Sequence, residues 1–302
     1  QQVQFMPPMR AVDMAGATPV EEVLASAGIG KARAVKVVVG QDRNLLQVTE
    51  TQQTPRRYFR LDNGTELPGE DARQAEFIAR HFLAERRPVA EIVHQTQFDA
   101  DYPWVNRQLP VWRVRFAGDD RLTAYVHTET GSLAAVNNLT KTRLQTVFRW
   151  LHSWEWVPPQ LEWLRVVVIT LMVGSLAALA VTGILLLVAI RRGKRLPGSK
   201  GWHRAMGYVL ALPLLMFSIS GIIHLVQSAC ERPTSQMRMS PPVNVASARY
   251  PIERDWAEVA AGLEVASLSL VEAPDGRPLY RLGLAQSRDA MPKGEHDHSA
   301  HQ

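Results

Sequence analysis

Two long apolar runs dominate the hydrophobic pattern of this chain. Residues 166–190 and residues 205–230 contain no Lys, Arg, Asp or Glu. A run of this length is enough for a helix to cross the roughly 30 Å hydrocarbon core of a bilayer. The pattern therefore predicts two membrane spans, over about 163–190 and 205–229, joined by a polar loop over 191–204.

The residues before these runs alternate between a helical and a strand period. Residues 18–67 combine one short helix with several strands, and residues 71–139 repeat this order. The helix predicted over 71–84 places its apolar positions on one stripe. The predicted strands lie over 34–39, 45–49, 58–61, 89–96, 111–116 and 122–126. We therefore predict two successive α+β units within a soluble region over 1–140.

The chain after the second apolar run, residues 230–302, begins with a similar pattern. A helix over 252–263 and strands over 266–272 and 279–284 predict a further partial α+β unit. The polar end contains three histidines: His296, His298 and His301. Such a tract can bind copper or zinc weakly, and the alternative is a flexible tail with no dedicated metal.

Positive charge is concentrated between the two spans. The formal net charge is +5 and the isoelectric point is near 9.5. The loop holds six bases and no acid: Arg191, Arg192, Lys194, Arg195, Lys200 and Arg204. Cytoplasmic loops of membrane proteins are enriched in Lys and Arg. We therefore expect residues 191–204 in the cytoplasm and both soluble regions in the bacterial periplasm, with lipid and not nucleic acid as the partner of the basic residues.

Two histidines lie near the ends of the second apolar run. His203 and His224 are 21 positions apart, which corresponds to about 32 Å along a helix and to faces within about 60° of each other. Ionisable residues within a span usually face the bundle interior and mark a function. This layout predicts one haem-iron ligand near each membrane surface. For His203 the alternative is an interfacial anchor formed with Trp202 and Arg204.

A third histidine, His152, precedes the first span. It lies within an aromatic girdle: Trp150, Trp154, Trp156 and Trp163. Bis-histidine ligation needs two imidazoles from different segments, so His152 is the candidate partner of His224 at the outer surface. The alternative is a histidine of the girdle with no ligand role. His203 has no comparable partner, since neither Met172 nor Met206 is placed to serve, and we expect the outer site to be the tighter one.

Motifs of other chemistries are absent. The sequence contains no G-x-S-x-G, H-E-x-x-H or C-x-x-C, no phosphate-binding glycine loop, and no flavin or nicotinamide fingerprint. The lone Cys230 excludes an intramolecular disulfide framework. His81, His94 and His127 follow no metal-ligand spacing, and we interpret them as structural or surface residues. Any electrons would have to come from an unidentified partner or a diffusible reductant.

The arrangement resembles PepSY domains followed by the PepSY-associated transmembrane family. Each α+β unit ends in a similar hairpin pattern, over 58–67 and 125–133. The membrane part is similar in four motifs: Trp150-Leu151-His152-Ser153-Trp154, Thr182-Gly183, His203-Arg204-x-x-Gly207 and Ser220-Gly221-x-x-His224. Together they cover about 18–229. The resemblance implies a mixed membrane protein, with α+β PepSY-like periplasmic units and an α-helical transmembrane bundle over 141–229 that has two spans in this chain.

The resemblance also implies a function. It indicates a multi-pass protein of the bacterial inner membrane that binds two b-type haems and transfers electrons to a periplasmic acceptor, as a ferric-siderophore reductase in iron uptake. His152, His203 and His224 would be the haem ligands, and an upstream helix with its own His-Arg start would supply the partner of His203. The alternative is a haem-free periplasmic module that binds a protein partner or restrains a peptidase, with a sensitive surface that includes 102–105.

Overall fold

The computed structural model describes residues 7–12, 17–189, 198–230, 243–244, 265–272 and 278–284. The chain forms two compact units, one from 1–142 with 235–302 and one from 143–234. The predicted helix over 252–263 and the histidines of the polar end lie outside the described residues. The same holds for four of the six loop bases: Arg191, Arg192, Lys194 and Arg195.

The described part of the first unit has two larger antiparallel sheets, a third sheet of only two short antiparallel strands, and two helices. Its helices are α1 (Val20–Ser26) and α2 (Glu70–Leu83), and α3 (Leu139–Phe148) begins at its boundary. Its strands are β1 (Lys31–Ala32), β2 (Ala34–Val39), β3 (Asn44–Thr49), β4 (Arg57–Arg60), β5 (Val89–Gln95), β6 (Val111–Phe116), β7 (Thr123–His127), β8 (Ser132–Asn137), β9 (Val243–Asn244), β10 (Val265–Glu272) and β11 (Pro278–Leu284). The strands predicted before the spans are confirmed to within one or two residues.

The strands after the membrane helices do not form a separate sheet in the described part of the chain. Strand β10 pairs antiparallel with β2, with Leu268 opposite Val37 and Leu270 opposite Val35. The first sheet therefore has five strands in the order β11-β10-β2-β3-β4. All four of these residues are buried in the core. Without β10, strand β2 would expose an unpaired edge, so the strands predicted as a further partial unit instead complete the first one.

The second sheet has the order β5-β6-β7-β8 and packs against α2. The predicted stripe of α2 is confirmed, because Ala75, Ile78, Ala79 and Phe82 are all buried against this sheet. The predicted hairpin over 125–133 is also confirmed, with Val126 opposite Leu133. Its counterpart over 58–67 contains a single bridge between Phe59 and Glu66, so the two hairpins are not equivalent.

Two long helices form the second unit, α4 (Glu162–Ala189) and α5 (Ser199–Cys230). They meet the length and composition of membrane spans, with mean hydropathies of 2.5 and 2.3. They run antiparallel, since a Cβ at Gly207 would lie 3.4 Å from the Leu187 side chain and a Cβ at Gly221 would lie 3.8 Å from Val173. Helix α5 begins before the predicted start at 205, because the Gly198 carbonyl already accepts bonds from the backbone of the next turn. Residues 199–204 are therefore helical and not part of a loop.

Candidate functional site

A large apolar cavity lies between α4 and α5. Its volume is about 870 Å³, which is within the range of pockets that bury small ligands and cofactors. It is lined by Leu179, Ala180, Gly183, Leu186, Leu187, Ser199, Lys200, His203, Arg204, Met206, Gly207, Leu210, Ala211 and Leu214. His203 is thus the predicted site residue around which the structure provides a space of ligand size.

Small residues on the two helices shape this cavity. No heavy atom lies within 4 Å of the position that a Cβ of Gly183 would occupy, so the missing side chain leaves open space. A Cβ at Gly207 would make an ordinary van der Waals contact with Leu187 on the facing helix. Ala180 and Ala211 also line the cavity without filling it. The cavity therefore depends on side-chain size at a few positions, as close helix packing in membranes generally does.

One end of the cavity is basic. Lys200, His203 and Arg204 have the i, i+3 and i+4 spacing that places side chains on one helix face, and all three line the cavity. The Arg204 guanidinium lies over the Tyr208 ring, 5.9 Å from its centroid. The remaining lining is mostly aliphatic. An amphiphile with an apolar body and an anionic end matches this distribution.

His152 and His224, the predicted ligand pair, lie on two different elements of the second unit. His152 lies in a π-helical turn over Arg149–Ser153, and its ring stacks on Phe148 at a centroid distance of 4.7 Å. His224 is exposed on the surface of α5. Within the described residues, no hydrogen bond, ion pair or ring contact joins these two histidines, and no group of three or more His, Cys, Asp or Glu could hold a metal ion. Their pairing stays a prediction.

The cavity at His203 fits the chemistry of a haem. An imidazole is a common ligand of haem iron, and burial in apolar surroundings is one of the features by which a protein sets the haem potential. The cavity supplies one imidazole, aliphatic walls and open space at Gly183. Lys200 and Arg204 could pair with the two propionates of the porphyrin. His203 is the only histidine among the residues that line this cavity.

Sequence reasoning missed a buried polar network in the first unit. The Asp71 carboxylate accepts hydrogen bonds from the Arg56 backbone, the Tyr58 hydroxyl and the Trp112 indole at 2.9, 2.9 and 2.7 Å. Asp71 is 2% exposed. Because these residues come from both α+β units, the network joins the two sheets. The sequence signal that could have revealed this network is Asp71, a polar residue at the start of the buried stripe of α2.

A second part of this network surrounds His127, which is buried as a structural residue. Its Nε2 lies 3.3 Å from Arg56 Nη2, and its Nδ1 lies 2.8 Å from Thr130 Oγ1. A guanidinium can only donate, so the contact with Arg56 needs an acceptor at Nε2, and the Thr130 backbone amide lies within hydrogen-bond distance of Nδ1, at 3.3 Å. Burial, followed by the charges of Arg56 and Lys36, lowers the pKa of His127 to about 3. His127 is therefore neutral in the folded protein at ordinary pH.

The surface expected over 102–105 is only partly exposed. Tyr102 is fully buried, with its ring stacked on Tyr125 at 4.5 Å and its hydroxyl donating to the Gln108 carbonyl at 2.8 Å. Val105, in contrast, is 64% exposed. Tyr102 belongs to a small core on the far side of the second sheet. It must therefore be removed from the predicted binding surface, which leaves the half-buried Pro103 and Trp104 and the exposed Val105.

Comparison with known proteins identifies the family. Residues 20–294 match the family described as the PepSY-associated TM region. Neither the search of the curated proteins nor the search of the solved structures found a match. The family match extends over both the antiparallel sheets and the two apolar helices. The chain therefore belongs to the PepSY-associated TM family and is a membrane protein.

Proposed function

We propose that this protein carries b-type haem in the bacterial inner membrane and transfers electrons to a periplasmic acceptor. Ferric-siderophore reduction in iron uptake is the activity that we infer from the family resemblance. The observation that supports the proposal best is the cavity of about 870 Å³ between α4 and α5, which His203 lines together with Lys200 and Arg204. Bound haem would supply a one-electron carrier within the apolar layer.

Each group of lining residues has a separate role in this proposal. His203 would provide an axial imidazole, and the aliphatic side chains would exclude water from the iron. Burial and the axial ligand are two of the features by which a protein sets haem potential. Lys200 and Arg204 would hold the anionic edge of the porphyrin. The preference for Arg at such positions rests on its paired donors, which match a carboxylate.

A second haem remains part of the proposal, with His152 and His224 as its ligands near the outer surface. The two histidines of α5 lie on one continuous helix, as the sequence predicted. Their spacing supports one site near each membrane surface. A soluble unit in the periplasm would then place its acceptor-binding surface on the outer side, as expected if the loop over 191–204 is cytoplasmic.

Absorption spectra of the purified full chain test this proposal. We expect a Soret band and, after dithionite reduction, an α band. In His203→Ala, we expect loss of the signal that comes from the cavity, whereas His81→Ala should retain the wild-type spectrum, because His81 lies in the α+β unit. Absence of haem from the wild-type protein would contradict the proposal. If lipid extraction instead yields an anionic phospholipid dependent on Lys200 and Arg204, the cavity is a lipid site.

The alternative function is a haem-free periplasmic module that binds or restrains a protein partner. Within the predicted surface, Val105 is exposed and Pro103 and Trp104 are half-buried. A single exposed valine is common on protein surfaces, so this alternative has weaker support than the cavity. It predicts that His152→Ala, His203→Ala and His224→Ala leave function intact, while Val105→Asp impairs it.

A further inference from the structure

Helix α3 and the π-helical turn that continues it carry an apolar stripe that faces outward. Four residues have the i, i+3, i+4 and i+7 spacing that places side chains on one helix face: Leu144, Val147, Phe148 and Leu151. Each of them is between 55% and 65% exposed. Large apolar side chains at this spacing are normally buried, and the described residues leave this α3 stripe uncovered.

The opposite face of the same helix is polar, yet it is the more buried one. At about 100° per residue, Thr142, Gln145 and Arg149 lie roughly 100–160° around the helix from Leu144. All three are half-buried. A surface helix of a water-soluble protein has the reverse arrangement, with its apolar residues inside and its polar residues in water. The arrangement of α3 therefore indicates that its stripe faces an apolar phase outside the described chain.

The chain continues from the α3 stripe into the first span. Only residues 154–161 separate the π-helical turn from α4. This connection is turned and not extended, since the Val157 amide donates to the Trp154 carbonyl at 3.0 Å and the Leu161 amide donates to the Pro158 carbonyl at 2.9 Å. The α3 stripe is therefore kept close to the membrane surface at which α4 begins.

Tryptophans indicate the same depth. Trp150 lies in the π-helical turn, and Trp156 and Trp163 lie on either side of the first residue of α4. All three are exposed. Tryptophan is enriched where a membrane meets water. An apolar stripe that is followed by such residues and then by a span lies at the level of the lipid headgroups, which favours lipid over protein as its partner.

The charges near the α3 stripe make a small contribution. The helix and its π-helical turn contain no acid and three Lys or Arg residues: Lys141, Arg143 and Arg149. Lys141 Nζ donates to the Val136 carbonyl at 2.6 Å, and Arg149 forms an ion pair with Glu155 at 3.3 Å. Arg143 is exposed and can reach lipid phosphates. Attachment to lipid would therefore rest mainly on the apolar side chains.

We propose that α3 lies in the plane of the membrane surface, with its stripe among the lipid acyl chains next to the headgroups. Lipid of the leaflet in which α4 begins covers the stripe. The helix is then an in-plane anchor between the α+β unit and the first span. The proposal is independent of the haem, since none of the four stripe residues is a proposed iron ligand, and it holds for either orientation of the spans.

Spin labels on the full chain test this proposal in vesicles of phosphatidylethanolamine and phosphatidylglycerol. In a Cys230→Ser background, a nitroxide is attached to Val147→Cys in the stripe or to Thr146→Cys, an exposed position on the opposite face. The label of Val147→Cys should collide readily with oxygen and poorly with a water-soluble nickel chelate, at a depth of about 5–10 Å within the interface. The label of Thr146→Cys should be reached more readily by the nickel chelate.

Two other results would overturn the proposal. If the nickel chelate reaches the labels of Val147→Cys and Thr146→Cys equally, the α3 stripe faces water. If neither reagent reaches the label of Val147→Cys, a protein surface covers the stripe, from a second copy of the chain or from another protein.

A charge placed in the stripe gives a second, independent readout. With the label on Leu151→Cys, Val147→Asp should move the label towards water, because a carboxylate is costly among acyl chains. The matched Thr146→Asp should leave its depth unchanged. Both substituted positions are exposed, so neither variant removes a core contact, and both proteins should be present in the membrane. Equal label depths in the two variants would refute the immersion of the stripe.

Discussion

The Asp71 carboxylate accepts a hydrogen bond from the Trp112 indole at 2.7 Å and joins the two α+β units of the chain. The same carboxylate also accepts from the Tyr58 hydroxyl, which in turn accepts from Gln47 Nε2 at 2.6 Å. Gln47 reaches across to the Thr128 carbonyl at 3.1 Å. The two sheets are therefore connected by hydrogen bonds between buried side chains.

The first prediction concerns Asp71. Asp71→Leu removes the shared acceptor and leaves the Tyr58 hydroxyl and the Trp112 indole without it. We expect a loss of about 3–5 kcal/mol in the free energy of unfolding, because one partner of a buried network is deleted. Urea unfolding followed by near-ultraviolet circular dichroism measures this. Asp119→Asn, at an exposed position, should stay within about 0.5 kcal/mol of the wild type. Equal stabilities for the two variants would show that the network does not hold the units together.

The second prediction concerns pH and His127. Its pKa is lowered from 6.5 to about 3 in the folded protein, so the unfolded chain binds the extra proton between these values. Stability should therefore fall as pH decreases from 6.5 towards 3, by at most about 1.4 kcal/mol per pH unit from this group. His127→Gln should remove most of this slope above about pH 5.5, where ordinary carboxylates are almost fully ionised. A residual slope is expected from His94, whose pKa burial also lowers.

The third prediction concerns Lys36 and has the same sign at higher pH. Burial lowers the pKa of Lys36 from 10.5 to about 8, against the raising effect of Glu129. Between these values the unfolded state binds more protons, so stability should rise from pH 8 towards pH 10. Lys36→Met should abolish this rise. Above about pH 10 the opposite trend is expected, since burial raises the pKa of Tyr102 and Tyr125 above the ordinary value of 10. A Lys36→Met protein with the wild-type slope would contradict the assignment.

The fourth prediction tests the cavity between α4 and α5 by filling it. Gly183→Leu should place a side chain in open space and exclude a porphyrin. Gly174→Leu is the matched control, because a Cβ there also meets nothing within 4 Å and Gly174 does not line the cavity. We expect less than about one tenth of the wild-type haem in the first variant and wild-type haem in the second, with both proteins present in the membrane. Equal haem contents in the two variants would show that haem does not bind in this cavity.

The fifth prediction concerns topology. In a Cys230→Ser background, Ser199→Cys should react with an impermeant thiol reagent only after the cells are opened, because the positive-inside bias places this helix start in the cytoplasm. Asp119→Cys, on the α+β unit, should react in spheroplasts that remain intact. Both positions are exposed, so access to the reagent and not burial decides the outcome. Labelling of Ser199→Cys in intact spheroplasts would contradict the predicted orientation of the two helices.

The local pattern of apolar and polar residues was sufficient to predict the elements whose buried positions recur at a regular period along the chain. The two apolar helices, the stripe of α2 and most strands of both sheets could be predicted, because a period of 3.6 or 2 is imposed by neighbouring residues. Motifs in the membrane part, such as His203-Arg204-x-x-Gly207, were sufficient for the family. The placement of the basic residues between the two spans predicted lipid and not nucleic acid as their partner.

Tertiary structure alone decided which of these elements meet. A strand pattern shows that Leu268 and Leu270 face a core, but not that the core is that of β2, since pairing between distant strands depends on the whole fold. The cavity that Gly183 and His203 line arises only when α5 packs against α4, and the bond from Trp112 to Asp71 only when the two sheets are joined. Hydrophobic periodicity specifies that a face is buried, whereas the geometry of packing specifies its partner and hence the cavities and polar contacts between elements.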